Sequence, residues 1–101
     1  MSEVFLSIIV PVYSVEKYID TCVESLFHDV LPDVEFIFVD DCSPDQSIRH
    51  VQNQAHNHFI PETQIRFLRN KQNCGLSVAR NNGEAVASGK YIWFVDTVTT
   101  P

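Results

Sequence analysis

Apolar residues in this chain follow two alternating rhythms. Short β-branched and aromatic runs are separated by segments whose apolar side chains recur every three or four positions. Ser7-Ile8-Ile9-Val10-Pro11-Val12 predicts a first strand closed by proline. Ser14 is placed to cap a helix in which Val15, Tyr18, Ile19, Cys22, Val23, Leu26 and Phe27 form one wide apolar face. Val34 to Val39 predicts a second strand. Ser43-Pro44-Asp45-Gln46 then offers serine at a cap, proline at the first helical position and glutamine three residues after the cap. Ile48, Val51 and Ala55 carry that second helix to about His58. Ile65-Arg66-Phe67-Leu68 predicts a brief third strand, Leu76 to Ala87 a third helix with Gly89 at its C′ position, and Tyr91 to Val95 a fourth strand.

Strands alternating with helices imply βαβ units, a parallel sheet and right-handed crossovers. The expectation is an α/β, Rossmann-like sheet of about four strands with three helices, forming one domain over residues 1–101. No internal repeat, low-complexity segment or linker divides it. The fourth strand is followed only by Thr97-Val98-Thr99-Thr100-Pro101, with no helix to cover it. That ending reads as the first half of something larger, a domain incomplete at its C-terminus.

Composition narrows the function classes. Hydrophobic residues make up 45% of the chain and charged residues 20%, which favours a folded core over disorder. A net charge of −6 argues against whole-surface attraction to nucleic acid or anionic lipid, although Arg66, Arg69, Lys71 and Arg80 can form a local basic cluster. No run approaches the ~20 apolar residues of a membrane span. The N-terminus has no basic region ahead of its apolar run and is interrupted by Pro11, unlike a signal peptide. Cys22, Cys42 and Cys74 are odd in number and fit reduced thiols. A cytoplasmic location is the expectation.

The chemistry concentrates where strands end. Phe36-Ile37-Phe38-Val39 stops abruptly at Asp40-Asp41, and ligands of open α/β sheets bind outside the carboxyl ends of the strands. Strand alternation turns only one of the two carboxylates toward such a crevice. The plainer reading is a turn-forming or helix-capping aspartate, and spacing leaves the two readings level. Asn73-Cys74-Gly75 opens directly into the third helix, the geometry in which free N–H groups meet an anion, with Arg80 one turn inside. Against that, Gly75 can serve a tight turn, Gly83 close packing, and Arg80 an ion pair with Asp41. Neither G-x-G-x-x-G nor a P-loop pattern is present. Asp96 closes the fourth strand at the same edge, and Tyr13 offers a ring beside it. His28, His50, His56 and His58 form no ligand set. A receiver-like phosphoacceptor domain would need an acidic pair after the first strand, where Pro11-Val12-Tyr13 stands instead.

In this order and spacing, four pieces resemble the N-terminal half of the family 2 glycosyltransferases, which have the GT-A fold. They are Ile8 to Tyr13, Phe38 to Asp45, Asn73 to Asn81 and Gly89 to Asp96. The resemblance implies a nucleotide-sugar site, usually for a UDP-sugar donor, and inverting transfer of the sugar to the hydroxyl of an acceptor sugar or glycoconjugate. It implies that Pro11 and Tyr13 line the uridine pocket, that the Asp41 carboxylate accepts the uracil N3–H, and that Asn73, Gly75 and Arg80 border the nucleotide. Cys42 stands where the family commonly has glycine or a small polar residue. The family also continues its fourth strand into a D-x-D-like group that holds Mn²⁺ or Mg²⁺ against the diphosphate. Asp96-Thr97-Val98 keeps the first carboxylate and has valine at the second, so Asp96 is the candidate metal ligand and metal binding is expected to be weak. The family's acceptor-binding half and catalytic base match no residue here, which predicts a donor-binding half without activity of its own. The competing expectation is a non-catalytic module that self-associates through the open flank of its half-sheet.

Overall fold

The computed structural model describes residues 3–95. Its elements run β1 (Leu6–Val12), α1 (Ile19–Phe27), β2 (Val34–Asp40), α2 (Ser47–Asn57), a 3₁₀ turn (Glu62–Gln64), β3 (Ile65–Arg69), α3 (Leu76–Val86) and β4 (Tyr91–Phe94). The strands form one sheet in the order β3-β2-β1-β4, with every pairing parallel. The architecture is the α/β, Rossmann-like one expected from the sequence.

Strand alternation sorts the core into two layers. Ile8, Val10 and Val12 of β1 join Phe36 and Phe38 of β2 beneath α1 and α2, where Ile19, Val23, Phe27 and Val51 close over them. Phe27 meets the edge of Phe36 at 5.1 Å between ring centroids. On the other face Ile9, Ile37 and Val39 pack against Ala79 of α3 in a smaller cluster. Gly83 makes that approach possible, since a Cβ there would lie 2.6 Å from Ile9 Cγ2. The change of face occurs after β3, because α3 must carry the chain back across β2 and β1 to reach β4.

Three local expectations are corrected. Ser14 does not cap α1: it has φ 51°, and a turn closed by Tyr18 N–H to Val15 O (2.9 Å) precedes a helix that starts at Ile19. Ser43 does not cap α2, which begins at Ser47. The carboxylate of Asp45 accepts the Ser47 N–H (3.1 Å) and hydroxyl (2.6 Å) in its place. Gly89 is no left-handed helix terminator, because α3 ends through Ala87 and Gly75 is the one described glycine with positive φ. Gly89 is instead pressed against β1: a Cβ there would meet Ser7 N at 2.5 Å. Its N–H donates to Ser7 Oγ (2.7 Å), while buried Glu35 accepts from Ser7 Oγ (2.5 Å) and from Ser88 N–H (2.6 Å). That cluster fastens the α3–β4 connection to the sheet at the end opposite the acidic strand tips.

β4 is left bare. Residues Tyr91 to Phe94 are all between 38% and 54% exposed on this edge strand, which α3 reaches through Arg80 over the Phe94 ring. Among the described residues, no helix is long and apolar enough to cross a membrane.

Candidate functional site

At the carboxyl edge of the sheet, β1 and β2 end side by side. The register pairs Val12 with Asp40, and the Asp41 N–H donates to Val12 O at 3.0 Å. Tyr13 therefore emerges next to Asp41, and the residue is 42% exposed. Pro11 lies one step back within β1 and is buried, opposite Val39.

The two carboxylates separate as alternation requires. Asp40 turns to its own loop, accepting the Ser43 N–H at 2.8 Å, with Arg69 Nε 3.9 Å from its other oxygen. Asp41 turns toward the loop that opens α3. Its Oδ1 accepts from Asn70 Nδ2 (2.7 Å) and Cys74 N–H (3.0 Å), and its Oδ2 accepts from Gly75 N–H (2.9 Å). Burial of Asp41, 3% exposed, disfavours its charge, but these three donors together outweigh burial and hold its carboxyl below the usual range. Gly75 can present its N–H this way because it adopts φ 92°, a conformation that side chains resist. Asn73 Oδ1 turns back onto the same N–H at 3.1 Å.

Asn70 is the support that sequence reasoning missed. Its N–H donates to Asp40 O (2.8 Å), its amide to Asp41, and its Oδ1 accepts from Asn82 of α3 (2.8 Å). The signal for it was only its position directly after β3. Asp45 is the other. Besides Ser47, it accepts the Ser43 hydroxyl (2.5 Å) and the Glu16 N–H (3.3 Å), while Ser43 Oγ accepts the Ser14 N–H (2.9 Å). Burial raises the Asp45 pKa, and the two hydroxyls and two backbone N–H groups more than reverse that. The loops after β1 and β2 are thus stitched together directly after Tyr13 in the chain. His50 adds a third tie, with Nδ1 2.9 Å from Asp20 and Nε2 3.3 Å from Glu16, so its pKa is raised chiefly by the Asp20 hydrogen bond.

Arg80 sits one turn into α3. It forms no ion pair with Asp41; its guanidinium lies over the Phe94 ring, 5.5 Å from the centroid, and its buried Nε has no hydrogen-bond partner among the described residues. Asp96, the candidate metal ligand, lies outside the described residues. Among the described residues no three His, Cys, Asp or Glu side chains gather to hold a metal ion. A polar cleft of about 590 Å³ opens nearby, lined by Asp40, Asp45, Arg49 and Arg69 among others. None of the sequence-predicted nucleotide residues lines it, so the candidate site is the surface above Asp41, between Tyr13 and the start of α3.

Comparison with known proteins supplies the context. The profile of the family described as Glycosyl transferase family 2 matches residues 7–97. The uncharacterized glycosyltransferase EpsJ of Bacillus subtilis (strain 168) is 43% identical over 91 residues, covering 90% of this chain and 25% of that protein. YibD of Escherichia coli (strain K12), also an uncharacterized glycosyltransferase, is 40% identical over 91 residues, with the same coverages of 90% and 25%. The chain thus spans about a quarter of the length of these relatives. Among solved structures, Staphylococcus aureus TarS 1-349 in complex with UDP-GlcNAc superposes with a TM-score of 0.79 at 31% identity. It covers 92% of this chain and 26% of that one. The mannosyltransferase PcManGT of Pyrobaculum calidifontis, in complex with GDP-Man and Mn²⁺, shares the fold with a TM-score of 0.82 at 21% identity. The match covers 96% of this chain and 28% of that one.

Proposed function

The chain belongs to glycosyl transferase family 2, and from that premise we propose that its carboxyl sheet edge is the donor-nucleotide site of an inverting sugar transfer, with a UDP-sugar as donor. One observation carries the reading. An ionised carboxylate has about four acceptor positions, and Asp41 has three of them filled, two on Oδ1 and one on Oδ2. The position left on Oδ2 suits an imide N–H such as uracil N3–H. Cytosine presents a lone pair at that ring atom and would be repelled. The depressed pKa keeps this carboxylate an acceptor at neutral pH.

The remaining roles follow from placement. Tyr13, at the end of the neighbouring strand, offers its ring to the base. The first turn of α3 carries N–H groups ahead of its first intrahelical bond, Ala79 N–H to Gly75 O at 3.1 Å, and these favour the diphosphate. Arg80 adds a cation beside them. As the acceptor oxygen bonds to the anomeric carbon and the sugar–diphosphate bond breaks, negative charge grows on the leaving diphosphate, where these groups stabilise it. The base that takes the acceptor's proton has no assigned residue in these 101. Asp96 is the proposed point of metal contact, where a divalent cation would neutralise charge on the diphosphate. The TarS complex with UDP-GlcNAc supports a uridine diphosphate sugar as the donor class.

Calorimetric titration with UDP and CDP, with and without Mn²⁺, tests the proposal. UDP is expected to bind saturably and CDP at least about tenfold more weakly, the cost of one buried acceptor left facing a lone pair. Equal binding of the two, or no UDP binding by a folded chain, refutes it.

A second reading, a self-associating module, is favoured by β4 alone. Tyr91 and Trp93 on one face, and Ile92 and Phe94 on the other, are an unusual concentration of exposed apolar side chains on a strand that pairs, among the described residues, with β1 alone. Sedimentation equilibrium showing a dimer that Trp93→Lys abolishes would favour it, and a monomer at all concentrations rejects it.

A further inference from the structure

Arg80 is the one described residue with a buried side-chain nitrogen that lacks a hydrogen-bond partner. A guanidinium has donors and no acceptor, so a buried Nε–H that finds no partner among the described residues calls for an acceptor, and an anion suits it best. Among the described residues no carboxylate answers, and what holds the group is a ring. The register sets Phe94 beside Ile9, whose side chain lies under α3, so Phe94 faces α3 too. Arg80 follows buried Ala79 and precedes buried Gly83 by three, which brings its stem over that ring. The resulting contact, 5.5 Å from guanidinium carbon to ring centroid, attracts the cation through the ring's quadrupole. A carboxylate in the same place would consume N–H donors and cancel the charge. A ring does neither.

We infer that Phe94 is the positioning residue that holds Arg80, with no carboxylate partner among the described residues, to receive the diphosphate of the nucleotide. The inference rests on the nucleotide-site reading above and adds a residue that touches no ligand. It also accounts for a phenylalanine on the α3 face of a strand that is otherwise poorly covered: Phe94 is 38% exposed, so core packing alone is a weak reason for it.

The test compares UDP with uridine, which shares the base and lacks the diphosphate. Phe94→Leu is expected to weaken UDP about 3- to 10-fold, the range of a partly desolvated cation–π contact, and to leave uridine unchanged. Phe94→Tyr, which keeps a ring, should restore UDP affinity. In an Arg80→Gln background, Phe94→Leu should have no further effect on UDP, because the two substitutions remove one interaction. Circular dichroism melts establish that each variant is folded, and Phe94→Tyr serves where Phe94→Leu is not. Equal weakening of UDP and uridine, or an undiminished Phe94→Leu effect without Arg80, overturns the inference while leaving the nucleotide site standing. If the folded wild-type chain binds neither UDP nor uridine, the nucleotide reading fails and this inference with it.

Discussion

Replacing Asp41 with asparagine removes one charge and almost no volume, so it isolates what the carboxylate does for the fold. In the native loop Asp41 accepts from Asn70, Cys74 and Gly75. Asparagine can keep the first two on its oxygen, but its amide would then point an N–H at the Gly75 N–H. The substitution loses one hydrogen bond to a charged acceptor, ordinarily about 1.5–3 kcal/mol, and leaves two donors face to face in a site that is 3% exposed. We expect a net destabilisation of about 2–4 kcal/mol, which for a domain of this size lowers Tm by roughly 10–25 °C. Urea unfolding of both proteins at several pH values measures it. The folded-state pKa of Asp41 lies below its unfolded value, so its contribution is fully present above about pH 4 and is lost as pH falls through the folded pKa. A protonated Asp41 resembles the asparagine. The gap between the proteins should therefore be the same at pH 7 and pH 5 and should narrow below about pH 4. A gap under about 1 kcal/mol at pH 7, or one that does not shrink in acid, refutes the idea that this carboxylate organises the loop.

Three further substitutions probe the scaffold around the site. His50 has its pKa raised by Asp20 and Glu16, so its ion pairs stabilise the fold below its ordinary pKa and fade as pH rises through the raised one. His50→Gln should abolish that dependence between pH 6 and 8 in thermal melts; because the pair is partly exposed, the loss should stay below about 1 kcal/mol. Gly83→Ala would gain helix propensity of about 1 kcal/mol but set a Cβ 2.6 Å from Ile9 Cγ2 and 3.2 Å from Val39 Cγ2. Overpacking against two stiff β-branched side chains should win, giving a net loss of about 1–2 kcal/mol in urea unfolding; a more stable variant would show that α3 can lift off freely. Glu35→Ala strands the Ser7 hydroxyl and the Ser88 N–H and should cost about 2–4 kcal/mol. Hydrogen exchange should show the protection of β4 amides falling before that of β2, and uniform loss would argue against a local role for this cluster.

The sequence by itself determined the elements and their order, because each signal there is local. Ile8-Ile9-Val10 and Phe36-Ile37-Phe38-Val39 are apolar on both sides, as strands buried on both faces must be. The three- and four-residue spacing of α1 left one face to bury. The acidic strand tip was legible for the same reason, since Asp40-Asp41 breaks an apolar run, and alternation already required that only one carboxylate face the crevice.

Only the tertiary structure decided which groups complete the site. Asp41 is bound by residues 29 to 34 positions away in sequence, and no periodicity encodes such a contact. The cap motif at Ser43 was a sound local signal, yet α2 starts four residues later at Ser47, whose N–H Asp45 accepts, while the Ser43 hydroxyl accepts the Ser14 N–H and donates to Asp45. Gly89 had the position of a helix stop, but the demand on it comes from β1, where Ser7 leaves no space for a side chain. Likewise Tyr91-Ile92-Trp93-Phe94 reads like the buried strand β2; its lack of a following helix was legible in the sequence, but its place beside β1 at the sheet edge, with Arg80 over Phe94, is set by the strand order. Hydrophobic pattern specifies what an element can bury. What it meets depends on chain crossings that bring distant residues together, and those are properties of the assembled sheet.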